Sequence, residues 1–149
     1  SRNIEVAYIG RPAPEKGVPY LMRAWPTARV LPWTDFKDLP WWYSQVKVVV
    51  SYSQDIPEWK EQAPNYVLLE AMATECKGVA SNTAAMVHWL EGAPGVVHAP
   101  QGKAVELKEA IQKTLDLPES VGRENREYVI SKFSNPVIAK KLMEVLEHA

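Results

Sequence analysis

The sequence has few of the residues that form disulfide frameworks or metal sites. Its 149 residues include one cysteine, Cys76, and three histidines. A single cysteine excludes an internal disulfide framework and is consistent with a reducing compartment. Cys76, His88 and His98 are isolated from one another, so no metal-ligand spacing is present and we expect no bound metal. No Ser–His–acid set typical of a hydrolase is recognisable either.

The chain also lacks an excess of charge of one sign and any long apolar run. Its 17 basic and 18 acidic residues give a net charge of -1, so nothing in the composition points to a nucleic-acid partner. No apolar run approaches the length of a membrane-spanning helix, and no signal peptide is visible, so we expect no transmembrane segment. With 46% hydrophobic residues, the chain is long enough for one domain with a real core.

Short β-branched segments alternate with segments of helical periodicity. Residues 4–9 and 46–50 are the clearest strands, and the second is almost all valine, as in strands buried on both faces of a sheet. Shorter strands are predicted at 28–31, 77–81 and 95–98. Because strands alternate with helices and no linker interrupts them, the sequence predicts a single α/β domain, residues 1–149, with a mainly parallel sheet.

Two predicted loops occupy the position where such sheets bind ligands. Residues 10–17 and residues 51–65 each follow a strand and precede a helix, and ligands bind at the carboxyl ends of parallel strands. The second loop is long and polar, so we expect it to be mobile. Its carboxylates Glu58 and Glu61 are expected to be solvated.

The stretch 62–73 is the most informative part of the chain. Asn65 is a good N-cap for a helix whose apolar residues recur at helical spacing, with Glu70 at its first turn or just beyond. The start of such a helix exposes N–H groups that suit a phosphate, and a carboxylate one turn further can accept hydrogen bonds from hydroxyl groups. An ordinary buried helix with a surface glutamate is the alternative.

Three signatures, in order along almost the whole chain, resemble the C-terminal donor-binding domain of retaining glycosyltransferases of the GT-B type (family four, group-1 type). The first is YIGR at 8–11 followed by EKG at 15–17. The second is the stretch 62–73, which ends in Glu-Ala-Met-Ala. The third is KFSN at 132–135, leading into a terminal helix.

The resemblance implies a Rossmann-like three-layer domain, shortened between Trp25 and Val46, where one βαβ portion is missing or compressed. It implies transfer of a hexose from a nucleoside-diphosphate sugar to an acceptor with retention, without a further cofactor. The partner would be an acceptor-binding N-terminal domain or subunit that this chain does not contain, so activity of the chain alone stays open. We expect a cytoplasmic location, with membrane association through that missing domain or the acceptor left open.

The matching motifs also assign residues to parts of the donor, whereas no catalytic residue is assigned. The resemblance places Arg11, Lys16, Tyr66 and Val67 at the diphosphate, Glu70 at the ribose, and Gln62 and Asn65 at the donor sugar. An arginine can grip phosphate oxygens bidentately and a lysine adds a compact point charge, which together would stabilise a leaving diphosphate.

The sequence departs from the family pattern at several places, among them Glu75, which stands where the family has a glycine. Gln62 stands where the family has a glutamate, and its amide can bind hydroxyl groups but carries no negative charge. We do not expect the adjacent Glu61 to replace it. In the shortened region, Trp33 either stacks on the base or plugs the sheet. These departures favour the alternative of a catalytically silent module that binds a nucleotide or a partner; a sugar-nucleotide epimerase is a weaker alternative.

Overall fold

A computed structural model describes residues 2–31, 37–61, 65–133 and 140. Three of the sequence-based expectations lie outside these residues: the role of Trp33, the contact of Gln62 with the donor sugar, and the terminal helix after KFSN. Within the described residues, no helix is both long and apolar enough to cross a membrane.

Strands and helices alternate as predicted. The strands are β1 (Ile4–Ile9), β2 (Arg29–Leu31), β3 (Val46–Ser51), β4 (Lys77–Ser81) and β5 (Val96–Ala99). The helices are α1 (Val18–Ala24), α2 (Leu39–Gln45), α3 (Tyr66–Ala73), α4 (Ala84–Trp89), α5 (Ala104–Leu115) and α6 (Ser120–Lys132). Each strand agrees with the sequence-based prediction to within one residue at either end, because β-branched runs bounded by turn residues give a strong local signal.

The five strands form one sheet in the order β2-β1-β3-β4-β5, and every adjacent pair is parallel. The predicted α/β class with a parallel Rossmann-like sheet is therefore confirmed. In this order β2 pairs with one side of β1, and β3, which follows β2 in the chain, pairs with the other side of β1. The resulting switch point lies between β1 and β3, and sheets of this topology bind ligands outside the carboxyl ends of the two strands at such a point.

Helices cover both faces of the sheet and give the domain three layers. On one face Val48 packs in a cluster with Leu107 and Ile111 of α5, and on the other Val49 packs in a cluster with Leu68 of α3. Val48, Val49 and the three helix residues that they meet are each at most 1% exposed. The prediction that the valine-rich strand is buried on both faces is confirmed.

A buried asparagine joins α6 to the amino ends of β4 and β5. Asn125 is fully buried, and its Oδ1 accepts a hydrogen bond from the Gly95 amide at 2.7 Å. Its Nδ2 donates to the carbonyls of Cys76 and Gly95 at 2.9 and 3.1 Å. The side chain therefore adds hydrogen bonds to the Gly95 amide and the Cys76 carbonyl that truncation would remove, whereas the Gly95 carbonyl also accepts from the Gly78 amide at 2.9 Å.

We expect Asn125→Ala to lower the free energy of unfolding by about 2–3 kcal/mol, because the buried Gly95 amide and Cys76 carbonyl lose the hydrogen bonds of its side chain. Chemical denaturation of the variant measures this loss. Asn3→Ala is the matched control, since the Asn3 amide makes an exposed hydrogen bond to Gln45 and should cost less than about 0.5 kcal/mol. Equal losses in the two variants would contradict the role assigned to Asn125.

Candidate functional site

The loops that follow β1 and β3 contact each other across the switch point. The backbone amide of Gln54 donates to the carbonyl of Glu15 at 2.8 Å, which joins the two loops directly. In the first loop, the Tyr8 hydroxyl donates to the carbonyl of Arg11 at 2.6 Å and fixes the backbone there. The Arg11 side chain is exposed, and Lys16 is half-buried. The loop thus holds two cations at the carboxyl edge of the sheet.

Gly17 makes the closest approach between the two loops. It ends a 3-10 turn (Pro14–Lys16) and precedes α1, with a left-handed φ of 70°. A Cβ at this position would lie 2.2 Å from the carbonyl oxygen of Tyr52, which no side chain can tolerate. A glycine is therefore required for two reasons: its backbone conformation is left-handed, and a side chain would block the contact that brings Lys16 beside the second loop.

We expect Gly17→Ala to destabilise the domain by more than the roughly 1–2 kcal/mol cost of a left-handed backbone alone, because the new methyl group must displace the Tyr52 carbonyl. Gly92→Ala is the control: Gly92 has a φ of 80° but no atom within 4 Å of the added Cβ. Denaturation midpoints of both variants separate the two costs. If Gly17→Ala costs no more than Gly92→Ala, the close approach of the loops is wrong.

The start of the second loop is joined to the segment after β5. Tyr52 and Gln54 there are at most 7% exposed. The Tyr52 hydroxyl donates to the Pro100 carbonyl and accepts from the Lys103 amide, while the Gln54 side chain accepts from the Gly102 amide at 2.7 Å. At these two positions the polar side chains bind backbone groups instead of water, whereas the mobility expected of the loop as a whole stays a prediction.

Glu61 is half-buried and not solvated, which corrects the expectation from sequence. Its carboxylate accepts hydrogen bonds from the Ser53 hydroxyl at 3.0 Å and from the Thr83 hydroxyl at 3.2 Å. Burial raises the pKa of Glu61, while the two hydroxyl donors and the nearby Lys16 partly offset that rise. The structure thus brings a carboxylate to the carboxyl ends of β3 and β4. Ser53 and Thr83 lie eight or more residues away, so no local sequence pattern indicated the contact.

The raised pKa of Glu61 fixes the sign of a pH effect. The folded state binds a proton on Glu61 more tightly than the unfolded state does, so stability falls as the pH rises above the ordinary glutamate value near 4.5. We therefore expect Glu61→Gln, which removes the desolvated charge, to unfold at a higher denaturant concentration than wild type at pH 7. Below pH 4.5 the advantage should vanish, since wild-type Glu61 is then protonated in both states. A variant that is less stable than wild type at pH 7 would contradict this assignment.

The start of α3 has the geometry predicted for it. Asn65 has an extended backbone, and its Oδ1 accepts a hydrogen bond from the Leu68 amide at 3.1 Å, so the predicted N-cap is confirmed. Tyr66 is 41% exposed at the first helical position and Val67 is half-buried. The contacts of these residues with a diphosphate or a donor sugar remain predictions.

Glu70 is not a surface charge. It is 2% exposed, and its Oε2 accepts a hydrogen bond from the Tyr43 hydroxyl of α2 at 2.8 Å. Burial, with the Glu70 carboxylate beside the phenol, raises the pKa of Tyr43 far above its ordinary value, so Tyr43 stays the donor. The alternative of an exposed glutamate is therefore wrong, whereas the contact of Glu70 with a ribose stays a prediction. Sequence reasoning missed Tyr43, whose partner is 27 residues away.

The described residues contain no group of three side chains that could hold a metal ion. What the edge offers instead is a pair of cations from the first loop, the half-buried carboxylate of Glu61 near Lys16, and the capped start of α3, which follows the second loop. Such a set can bind a polar anionic ligand that also carries hydroxyl groups.

Comparisons with solved structures give the class of fold. The sucrose-phosphate synthase of Thermosynechococcus elongatus superposes with a TM-score of 0.75 and 20% identity, over 97% of this chain and 45% of that one. HepE of Anabaena in complex with UDP-glucose gives a TM-score of 0.72 and 15% identity, over 99% of this chain and 49% of HepE. The C-terminal domain of the group-1 glycosyl transferase LpcC of Francisella tularensis gives a TM-score of 0.64 and 13% identity, over 91% of this chain and 88% of that domain.

The chain is thus similar in fold to GT-B glycosyltransferase domains, and it spans about half the length of the first two structures. No family model and no curated protein sequence matches it.

Proposed function

We propose that this chain is the donor-binding domain of a retaining glycosyltransferase, and that it binds a nucleoside-diphosphate sugar at the carboxyl ends of β1 and β3. The observation that carries the proposal is the docking of the two loops at the switch point, with Arg11 and Lys16 on the first. The fold of HepE, solved with UDP-glucose, supports the choice of ligand. The match to the C-terminal domain of LpcC supports the assignment of this chain to the C-terminal, donor-binding half of such an enzyme.

In this function each group at the edge has a part of the donor to bind. Arg11 and Lys16 bind the diphosphate together with the N–H groups of Tyr66 and Val67 at the start of α3. Their charge stabilises the diphosphate as the bond to the sugar breaks. Glu70 binds ribose hydroxyls beside Tyr43.

Residues of the second loop complete the donor site. Gln62 and Asn65 bind the donor sugar. An N-terminal domain or subunit provides the acceptor and the rest of the active site. The sugar nucleotide is the substrate, and no further cofactor takes part.

The second candidate function is a catalytically silent module that binds a nucleotide or a protein partner. Three departures favour it: Gln62 stands where the family has a glutamate, Glu75 stands where it has a glycine, and the region between Trp25 and Val46 is shortened. The two functions share nucleotide binding and differ in turnover. Release of free nucleotide from a sugar nucleotide, by the chain joined to its acceptor-binding half, distinguishes them.

Calorimetric titration with UDP, GDP and ADP sugars tests the binding site. We expect one of these nucleotides to bind, and Arg11→Glu or Lys16→Glu to weaken that binding by about ten- to hundredfold, since a charge-assisted contact contributes about 1.5–3 kcal/mol. Arg123→Glu is the control with the same change of charge. Arg123 is exposed and lines a groove with Glu5 and Lys47 at the opposite edge of the sheet.

A loss of binding confined to the two variants of the first loop would support the site. No heat with any nucleotide at millimolar concentration would overturn the proposed function. Equal affinity in wild type and Arg11→Glu would move the site away from this loop. Added salt should weaken wild-type binding, because exposed charges are screened.

A further inference from the structure

One contact at the switch point has no counterpart in the sequence motifs. The ammonium group of Lys16 lies over the indole of Trp59, 5.3 Å from the ring centroid. Trp59 closes a tight turn in the second loop, in which Trp59 and Ile56 exchange backbone hydrogen bonds of 3.0 Å in both directions. The indole is half-buried. The aromatic face is therefore carried by a rigid turn and not by a free loop tip.

The two partners are held in register by backbone contacts that do not involve their own side chains. The hydrogen bond from Gln54 to Glu15 precedes Lys16 by one residue, and the contact of Gly17 with Tyr52 follows it by one. Lys16 thus projects from a backbone that is fixed on both sides against the loop bearing Trp59. Cation–π attraction is strongest when the cation is partly desolvated, as it is for a half-buried lysine.

We propose that Trp59 is a positioning residue for diphosphate binding, which acts by holding the Lys16 ammonium over its ring at the switch point. Because it acts through a diphosphate site, this role rests on the proposed donor-binding function. A free lysine side chain samples many rotamers, and ordering it on binding costs affinity. An ammonium has three N–H donors, so one held over a ring can still donate to phosphate oxygens.

The half-buried carboxylate of Glu61 also lies near Lys16. The Lys16 charge partly offsets the rise in the pKa of Glu61, and the hydroxyls of Ser53 and Thr83 hold both oxygens of the carboxylate. Lys16 therefore lies near the Trp59 ring and near a carboxylate that is already hydrogen-bonded. Trp59 attracts the ammonium group but, since it is not an anion, does not compete with a diphosphate for it. A diphosphate would then bind a lysine whose side chain is already positioned.

A double-mutant cycle on the nucleotide that wild type binds tests this role. We expect Trp59→Leu to weaken binding about three- to tenfold, and Trp59→Phe, which keeps an aromatic face, to restore affinity to within about twofold of wild type. In a Lys16→Met background Trp59→Leu should change affinity less than about twofold, because the ring no longer has a cation to hold. Trp41→Leu is the control, since Trp41 is 57% exposed on α2 and belongs to no part of the site.

A readout without nucleotide separates this inference from the proposed function. In the free protein the Lys16 side-chain proton resonances should be shifted upfield by the indole, and the shift should disappear in Trp59→Leu but persist in Trp41→Leu. Unshifted Lys16 resonances in a wild type that binds nucleotide would overturn the positioning role alone. Equal losses from Trp59→Leu in both backgrounds would also overturn it and indicate direct stacking on the ligand. A wild type that binds no nucleotide would overturn the donor site and the positioning role with it.

Discussion

The contact between two backbones at the switch point is the constraint on which the rest of this edge depends. Gly17 lies so close to the Tyr52 carbonyl that no other residue fits, and the neighbouring Glu15 and Gln54 share a hydrogen bond. Since β1 and β3 are adjacent and parallel, their carboxyl ends deliver both loops to the same place. The glycine lets the loops approach closely enough for a lysine of one to lie over a tryptophan of the other.

Two acidic side chains, Glu61 and Glu70, are removed from solvent to a degree that composition does not predict. Glu70 receives a hydroxyl from Tyr43, and Glu61 receives hydroxyls from Ser53 and Thr83. A carboxylate taken out of water needs such donors, because burial alone disfavours its charged form. The donors come from α2, from the N-cap of α4 and from the loop after β3, so these networks also tie together segments that the sheet leaves separate.

The two edges of the sheet carry different kinds of polar groups. At the amino ends of β4 and β5, the fully buried side chain of Asn125 makes hydrogen bonds to backbone groups and contributes stability. At the carboxyl ends, half-buried charged groups remain within reach of a ligand, as Lys16 and Glu61 show. The GT-B-like fold accounts for this division, since parallel strands place their ligand-binding loops on one edge only.

The sequence alone determined the order of strands and helices, the Asn65 cap and the burial of β3, because each depends on neighbours along the chain. It also indicated which loops follow strands, and a resemblance pointed to Arg11, Lys16 and Glu70. Only the tertiary structure decided that Glu61 is half-buried, that Glu70 bonds to Tyr43, and that Trp59 lies beneath Lys16. These contacts join residues that are distant in sequence, and the packing of the sheet alone brings them together.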